Sequence, residues 1–195
     1  MQKKIKEIAN VIAGYTFRGA IESDIAGDLF VLQAKNVKAG KNIIEVDGLL
    51  KTSFSAPRTN AYLQSNDVII VTRGMGNGNL RAALFQSSVA NVIASSSIHI
   101  IRMKDEMILP EYIVLLLNSD EGQGALSEIV TGAHLQTLSR KNLEDLEIPI
   151  VSLEKQKLLI NLDNNIKRQN EISEQKNRIR KSIINAAFKS VATSK

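Results

Sequence analysis

From Ser152 to the end of the chain there is neither proline nor glycine, and no other feature constrains the fold as strongly. Proline removes a backbone donor and clashes inside a helix, and glycine weakens one, so a stretch free of both is open to uninterrupted helix. Ser152 stands where an N-cap belongs, and Glu154 complements the positive end of the first turn. From there Leu159, Leu162, Ile166, Gln169, Ile172, Lys176, Ile179, Ile183 and Ala186 recur in steps of three and four residues, which is one face of a helix. The spacing predicts a single amphipathic helix of about 36 residues, ~54 Å long. Its apolar stripe is narrow and is interrupted by Gln169 and Lys176. Such a stripe suits a coiled-coil partner better than a globular core, with the polar residues setting register. A rod of this length cannot bury itself along a globule built from the remaining residues. Leu159, Leu162, Ile166, Ile172, Ile179 and Ile183 are therefore the expected dimerisation residues.

The first 150 residues have a different texture. Residues 28–34, 67–72, 80–86 and 97–102 are rich in Val, Ile, Leu and Phe and are bounded by Gly, Asn, Asp and Ser, which predicts strands. Pro110 opens a helix carrying EYIVLLLNS, since proline is favoured at the first helical position. A second helix is expected from Asp120, although Gly122 and Gly124 weaken it. Ser139 caps a short helix, RKNLEDL, and residues 146–151 then extend through Pro149. The expectation is an α+β (mixed α/β) domain over 1–150, a long helix over 151–190 that forms a coiled coil, and a frayed end at 191–195.

Charge is divided unevenly between these parts. Residues 1–150 hold 15 Lys+Arg and 16 Asp+Glu, a net of −1, whereas residues 151–195 hold 10 and 4, a net of +6. The excess of +5 lies wholly in the tail, as a solvated helix face or a surface for an anionic partner. The chain has no cysteine, which excludes disulfides and thiolate metal sites and fits a reducing compartment. No apolar run approaches the roughly 18 residues of a membrane span, and a cytoplasmic protein is expected.

Catalytic patterns are missing. Pro57, Pro110 and Pro149 are isolated, so there is no Asn-Pro-Pro loop of an adenine methyltransferase. Gly74, Gly76 and Gly78 follow a strand but have GxGxG spacing, with no Lys-Ser/Thr and no helix after them, and read as a hairpin loop. Glu45, Asp47 and Lys51 surround the turn dipeptide Asp47-Gly48, so a solvated loop is favoured over a nuclease centre. His99 alternates with isoleucines on a strand, which predicts a satisfied structural role, and nothing pairs with His134 as acid or base.

Several segments, in order along almost the whole chain, resemble the DNA specificity subunits of type I restriction–modification enzymes. Gly14-Tyr15-Thr16-Phe17 is similar to the opening Gly-x-Thr turn of that family. Val31-Leu32-Gln33-Ala34-Lys35-Asn36-Val37 resembles its strand and Asn loop. Asn66-Asp67-Val68 stands where a Gly-Asp-hydrophobic sequence is usual, and Asn tolerates the same positive-φ turn. Pro110-Glu111-Tyr112-Ile113 resembles the family's Tyr helix, and the segment from Thr131 to Ser139 its Gly-x-x-Gln loop. Ile148-Pro149 with Glu154-Lys155-Gln156 looks like the junction that opens the conserved helix.

This resemblance implies a non-catalytic subunit that reads DNA sequence. Methyltransferase subunits and, through them, an endonuclease/motor subunit would be its partners. S-adenosylmethionine, ATP and Mg would be bound on those partners and no cofactor on this chain. A full-length member has two recognition domains and two helices that pack antiparallel, whereas one of each is present here, so self-association through the helix is expected. Base readout calls for polar side chains on loops held by a rigid scaffold. The candidates are Lys35 and Asn36; Thr72, Arg73, Asn77, Asn79 and Arg81; and His134, Gln136 and Arg140. Arg18 and Arg58 are candidates for phosphate. Two other readings fit the same residues: a stand-alone sequence-specific regulator, and a specificity module of a fused restriction–methylation enzyme.

Overall fold

The computed structural model describes residues 1–54, 59–74, 80–132 and 136–193. The elements, in order, are β1 (Gln2–Lys4), α1 (Ile5–Ile8), β2 (Ala9–Ala13), β3 (Leu29–Leu32), β4 (Leu50–Thr52), β5 (Asp67–Val71), β6 (Arg73–Gly74) and β7 (Ala82–Phe85). They continue with β8 (Val92–Ala94), β9 (Ile98–Met103), α2 (Pro110–Asn118), α3 (Asp120–Ile129), β10 (Gln136–Thr137), α4 (Arg140–Asp145), β11 (Glu147–Pro149) and α5 (Leu153–Thr193). The chain divides into two units, Met1–Gln156 and Lys157–Lys195.

In the first unit an antiparallel sheet of order β2-β9-β5-β7 and a three-stranded sheet of order β4-β3-β8 share one core. Ile69, Ala83, Phe85, Ile98 and Ile100 come from the first sheet, Leu32, Val92 and Ala94 from the second, and Val37, Ile44 and Leu49 close the cluster. Strand β5 is buried on both faces, because α2 packs on β5 and β7 from the other side. That double burial explains why its sequence, DVIIV, runs apolar instead of alternating.

The expected strands and helices all form. Pro110 occupies the first turn of α2, and Ser139 caps α4 by accepting from Asn142 N (3.1 Å). Helix α3 forms in spite of its glycines because one of them is needed. A Cβ on Gly122 would overlap the Leu116 carbonyl, where α3 closes onto the end of α2. Ser119 Oγ accepts from Gly122 N at that junction (3.1 Å). Asn66 has φ of 71°, as its place in a Gly-Asp position predicts. The following Asp67 is buried and receives Arg102 Nε (2.8 Å), Arg102 Nη2 (2.7 Å) and Gln64 N (2.8 Å).

The N-terminal elements were not foreseen. Strand β1 pairs antiparallel with β11, Lys3 opposite Ile148, so the first residues of the unit are tied to its last strand. Next to that seam, Tyr112 Oη donates to Pro149 O (2.7 Å). The start of α5 is held by Gln156, whose side chain is 1% exposed. Its Oε1 accepts from Leu109 N (2.8 Å) and its Nε2 donates to Met107 O and Val151 O (3.0 Å each). An amide is the one small neutral group that can accept once and donate twice here.

The second unit is the continuation of α5, a helix of 41 residues, ~62 Å long. Leu159, Leu162, Ile166, Ile172, Ile179 and Ile183 are 40–61% exposed along it. No helix among the described residues is long and apolar enough to cross a membrane.

Candidate nucleic-acid interface

Three segments that the sequence presents separately are joined at one end of the first unit. Strand β6 pairs antiparallel with β10, Arg73 opposite Thr137 and Gly74 opposite Gln136. Thr137 in turn exchanges backbone hydrogen bonds with Thr131 (2.8 and 3.1 Å), and Leu138 N donates to Thr72 O (2.8 Å). The candidate segments around Arg73 and Gln136 are therefore neighbouring strands of one ribbon.

Three consecutive serines between β8 and β9 connect this ribbon to the Lys35–Asn36 segment. Ser97 O accepts from Thr72 N (2.9 Å), Ser96 O from Thr72 Oγ1 (3.4 Å), and Ser97 Oγ from Ala34 N (3.2 Å). Ser95 N donates to Leu32 O (2.9 Å), and the Ser95 and Ser97 hydroxyls share a hydrogen bond (2.8 Å). The opening glycine belongs to the same junction: Gly14 N donates to Ile98 O (2.9 Å), and a Cβ on Gly14 would overlap the Ser95 carbonyl. Sequence reasoning passed over these serines. Their only signal is three small polar residues in a row between two apolar strands, with Ser96 left exposed at the centre of the patch.

The candidates fall into distinct environments. Lys35, Arg73 and Arg140 are exposed, and Gln136 is half-buried on the ribbon. Arg140 Nε pairs with Glu144 (2.7 Å), an exposed i,i+4 pair worth at most about 1 kcal/mol. Arg81 is partly buried, and its Nε has no partner among the described residues. Two candidates are corrected. Thr72, expected on an exposed loop, is 3% exposed, because its backbone and hydroxyl all serve the junction of β5, the serines and Leu138. Asn36 is taken up by its own 3-10 turn, with Oδ1 accepting from Gln33 N (2.9 Å) and Nδ2 donating to Gly48 O (3.0 Å). Asn77, Asn79, His134 and Arg58 lie outside the described residues. Arg18 is exposed beside Phe17 and Phe54, on a separate open cleft.

His99 supports the ribbon from beneath. It is 7% exposed, and its Nε2 lies 3.0 Å from Leu138 O. A carbonyl can only accept, so Nε2 carries the proton and Nδ1 is an acceptor without a partner among the described residues. The expected satisfied histidine is thus satisfied on one side only. Burial lowers its pKa, with the nearby Arg140 charge acting in the same direction. The folded state therefore binds this proton less readily than the unfolded chain. Its neutral form contributes full stability above the unfolded value of about 6.5, and that contribution is lost as pH falls through the depressed folded value. The thermal midpoint is expected to drop on acidification from pH ~7.5 to ~5 more steeply in the wild type than in His99→Gln. Parallel curves for the two proteins would refute the assignment.

Among the described residues, no group of three His, Asp or Glu is placed to hold a metal ion. What remains is polar and cationic side chains from several loops, fixed on a rigid α/β scaffold that continues into one long helix. That is the build of a recognition module. Residues 1–180 match the type I restriction modification DNA specificity domain, and the chain belongs to that family, with one target-recognition domain.

Solved structures share the fold. The HsdS subunit from Thermoanaerobacter tengcongensis aligns with a TM-score of 0.62 at 16% identity, over 87% of this chain and 37% of that one. The type I restriction–modification S subunit from M. genitalium gives 0.53 at 15% identity, over 88% and 39%. A chain from a structure of the complex assembly and conformational transition of the type I R-M system gives 0.63 at 14% identity, over 96% and 45%. This chain thus spans between 37% and 45% of the length of those proteins. No curated protein sequence is significantly similar to it.

Proposed function

We propose that this chain is the DNA sequence-recognition subunit of a type I restriction–modification complex, and that it directs methyltransferase and endonuclease subunits to a bipartite target. The observation that supports this reading is that the segments around Lys35, Arg73 and Gln136 are joined through the serine turn and the β6/β10 ribbon, with Arg140 opening α4 three residues after β10. Asn77, Asn79 and His134 belong to the segments that follow β6 and precede β10, and they complete the proposed readout set. Arg and Gln on such a patch have the donors and acceptors that base edges in a major groove present. The recognition unit is close to neutral overall, so binding to phosphate by this chain alone is weak and the partner subunits supply much of the neutralisation. The chain itself performs no chemistry. S-adenosylmethionine, ATP and Mg act on the other subunits.

Self-association of α5 supplies the second half-site. Two copies paired antiparallel as a coiled coil are related by a two-fold axis, as two halves of a palindrome are. Half-sites on one face of the duplex repeat at ~34–36 Å, within the reach of a ~62 Å helix.

Arg73→Ala tests the readout patch. Against a target selected from a random duplex pool by the assembled complex, it is expected to lose about 1–3 kcal/mol of binding. Its thermal midpoint should stay at the wild-type value, because the side chain is exposed. Unchanged affinity would remove Arg73 from the interface. Methyl transfer from labelled S-adenosylmethionine by the pure chain would overturn the non-catalytic role.

A further inference from the structure

The serine turn between β8 and β9 is fastened to several segments at once. Ile98 N donates to Ser95 O (3.0 Å), Ser95 N to Leu32 O (2.9 Å), and the Ser95 and Ser97 hydroxyls bond each other (2.8 Å). Ser97 Oγ accepts from Ala34 N (3.2 Å), Ser97 O from Thr72 N (2.9 Å) and Ser96 O from Thr72 Oγ1 (3.4 Å). Those bonds hold the turn against β3, the start of the Lys35 segment and the end of β5. Ser96 itself is exposed, and neither its hydroxyl nor its N–H has a partner among the described residues. Two donors are thus held at a fixed place on the surface, and nothing in the fold uses them.

Where this turn lies relative to the ribbon decides what those donors can meet. Strand β5 pairs with β9 as far as Val71 opposite Ile98, and Thr72 N still reaches Ser97 O. Beyond Thr72, β6 and β10 form a two-stranded sheet of their own. Thr72, which also receives Leu138 N, is therefore the root of the ribbon, and Gly74 opposite Gln136 is its outermost described pair. Two residues separate these levels, ~7 Å at the rise of a strand. A major groove admits a two-stranded ribbon and is ~8.5 Å deep. A ribbon whose Gln136 level meets base edges therefore keeps its root near the phosphate rim of the groove, and Ser96 is bonded to that root. A serine side chain is too short to reach down the ribbon to the bases. A hydroxyl and an N–H can both donate, and phosphate oxygens only accept. Resting on the recognition role proposed above, we infer that Ser96 Oγ and N hold one phosphate of the DNA backbone at the groove rim. The contact carries no sequence information and fixes how far the ribbon enters. Ser96 is a positioning residue, and Arg73 and Gln136 read beyond it.

The test uses the full chain assembled with its methyltransferase partners and the duplex that this complex selects from a random pool. Phosphates of that duplex are replaced one at a time by uncharged methylphosphonate, and affinities are measured for the wild type, Ser96→Ala and Ser96→Asp. The Ser96→Ala thermal midpoint should match the wild type, because the side chain is exposed. This variant is expected to bind the target and its single-base variants about tenfold more weakly, by one factor throughout, as a lost hydrogen bond to a charged group does. Its salt dependence should stay that of the wild type, since no cation is removed. Ser96→Asp, which sets a carboxylate against the phosphate, should bind more weakly still. At one phosphate position per recognition domain, methylphosphonate should weaken the wild type by a larger factor than Ser96→Ala, and at the others by equal factors. A loss that depends on the base pair changed would make Ser96 a base reader and overturn the phosphate assignment. Wild-type affinity in both variants, or no phosphate position that couples to Ser96, would overturn it too, while a selected sequence would leave the recognition role standing. A complex that selects no sequence would overturn both.

Discussion

Ile166→Asp combined with Ile179→Asp is expected to yield a folded monomer that no longer holds a duplex with two half-sites. Both residues lie on the proposed seam, so each dimer acquires four carboxylates within it. Losing a buried isoleucine forfeits about 1.5–3 kcal/mol of apolar burial, and a carboxylate in its place must also be desolvated. The combined cost exceeds roughly 6 kcal/mol, more than four orders of magnitude in the dimer dissociation constant. The isolated chain should barely register the change, because Ile166 and Ile179 are 49% and 59% exposed on it and such surface substitutions stay within about 0.5 kcal/mol. Light scattering, far-UV circular dichroism and gel shifts on one- and two-half-site duplexes separate the effects. A dimer of undiminished stability would remove the seam from the interface.

The largest effect on folding is expected at Asp67. The residue is 1% exposed, and its carboxylate accepts three hydrogen bonds, two from Arg102 and one from Gln64 N. The same guanidinium reaches Tyr62 O (2.9 Å), and the Asp67 hydrogen bond holds Arg102 more firmly protonated than a free arginine. Asp67→Ala leaves that partly buried cation without its counter-ion on the two inner strands of the main sheet. Removing one partner of a buried pair costs about 3–5 kcal/mol, which for a chain of this size lowers the thermal midpoint by roughly 6–20 °C. Replacing both groups should cost less than the sum of the single losses, so Asp67→Ala with Arg102→Met is expected to regain part of the stability. Midpoints from thermal unfolding decide the matter. An Asp67→Ala protein as stable as the wild type would show that the pair contributes nothing.

The elements that were legible in the sequence share one property, which is that their signals are local. The 3-4 spacing and the missing Pro and Gly announced α5, and Pro110 and Ser139 marked the starts of α2 and α4. Asn66 in a Gly-Asp position announced a positive-φ turn, and that turn forms. The glycines of α3 misled because propensity counts the cost of a glycine without knowing that Leu116 O occupies the place of its Cβ. The ribbon could not be read in advance. Thr72 and Leu138, or Ala34 and Ser97, are joined by hydrogen bonds across more than sixty residues of chain, and pairing at such a distance leaves no periodic mark.

The sequence by itself therefore determined the order and type of the main elements, the division into an α/β domain and a helix, and the seam that α5 offers. Each follows from how neighbouring residues fit one backbone conformation. Only the tertiary structure decided which candidate side chains share a surface, that Thr72 and Asn36 are spent inside it, and that β1 closes on β11. Those outcomes depend on backbone donors and acceptors finding partners far away in sequence. Every polar residue has such groups, and the composition of a loop does not say which of them remain free for DNA.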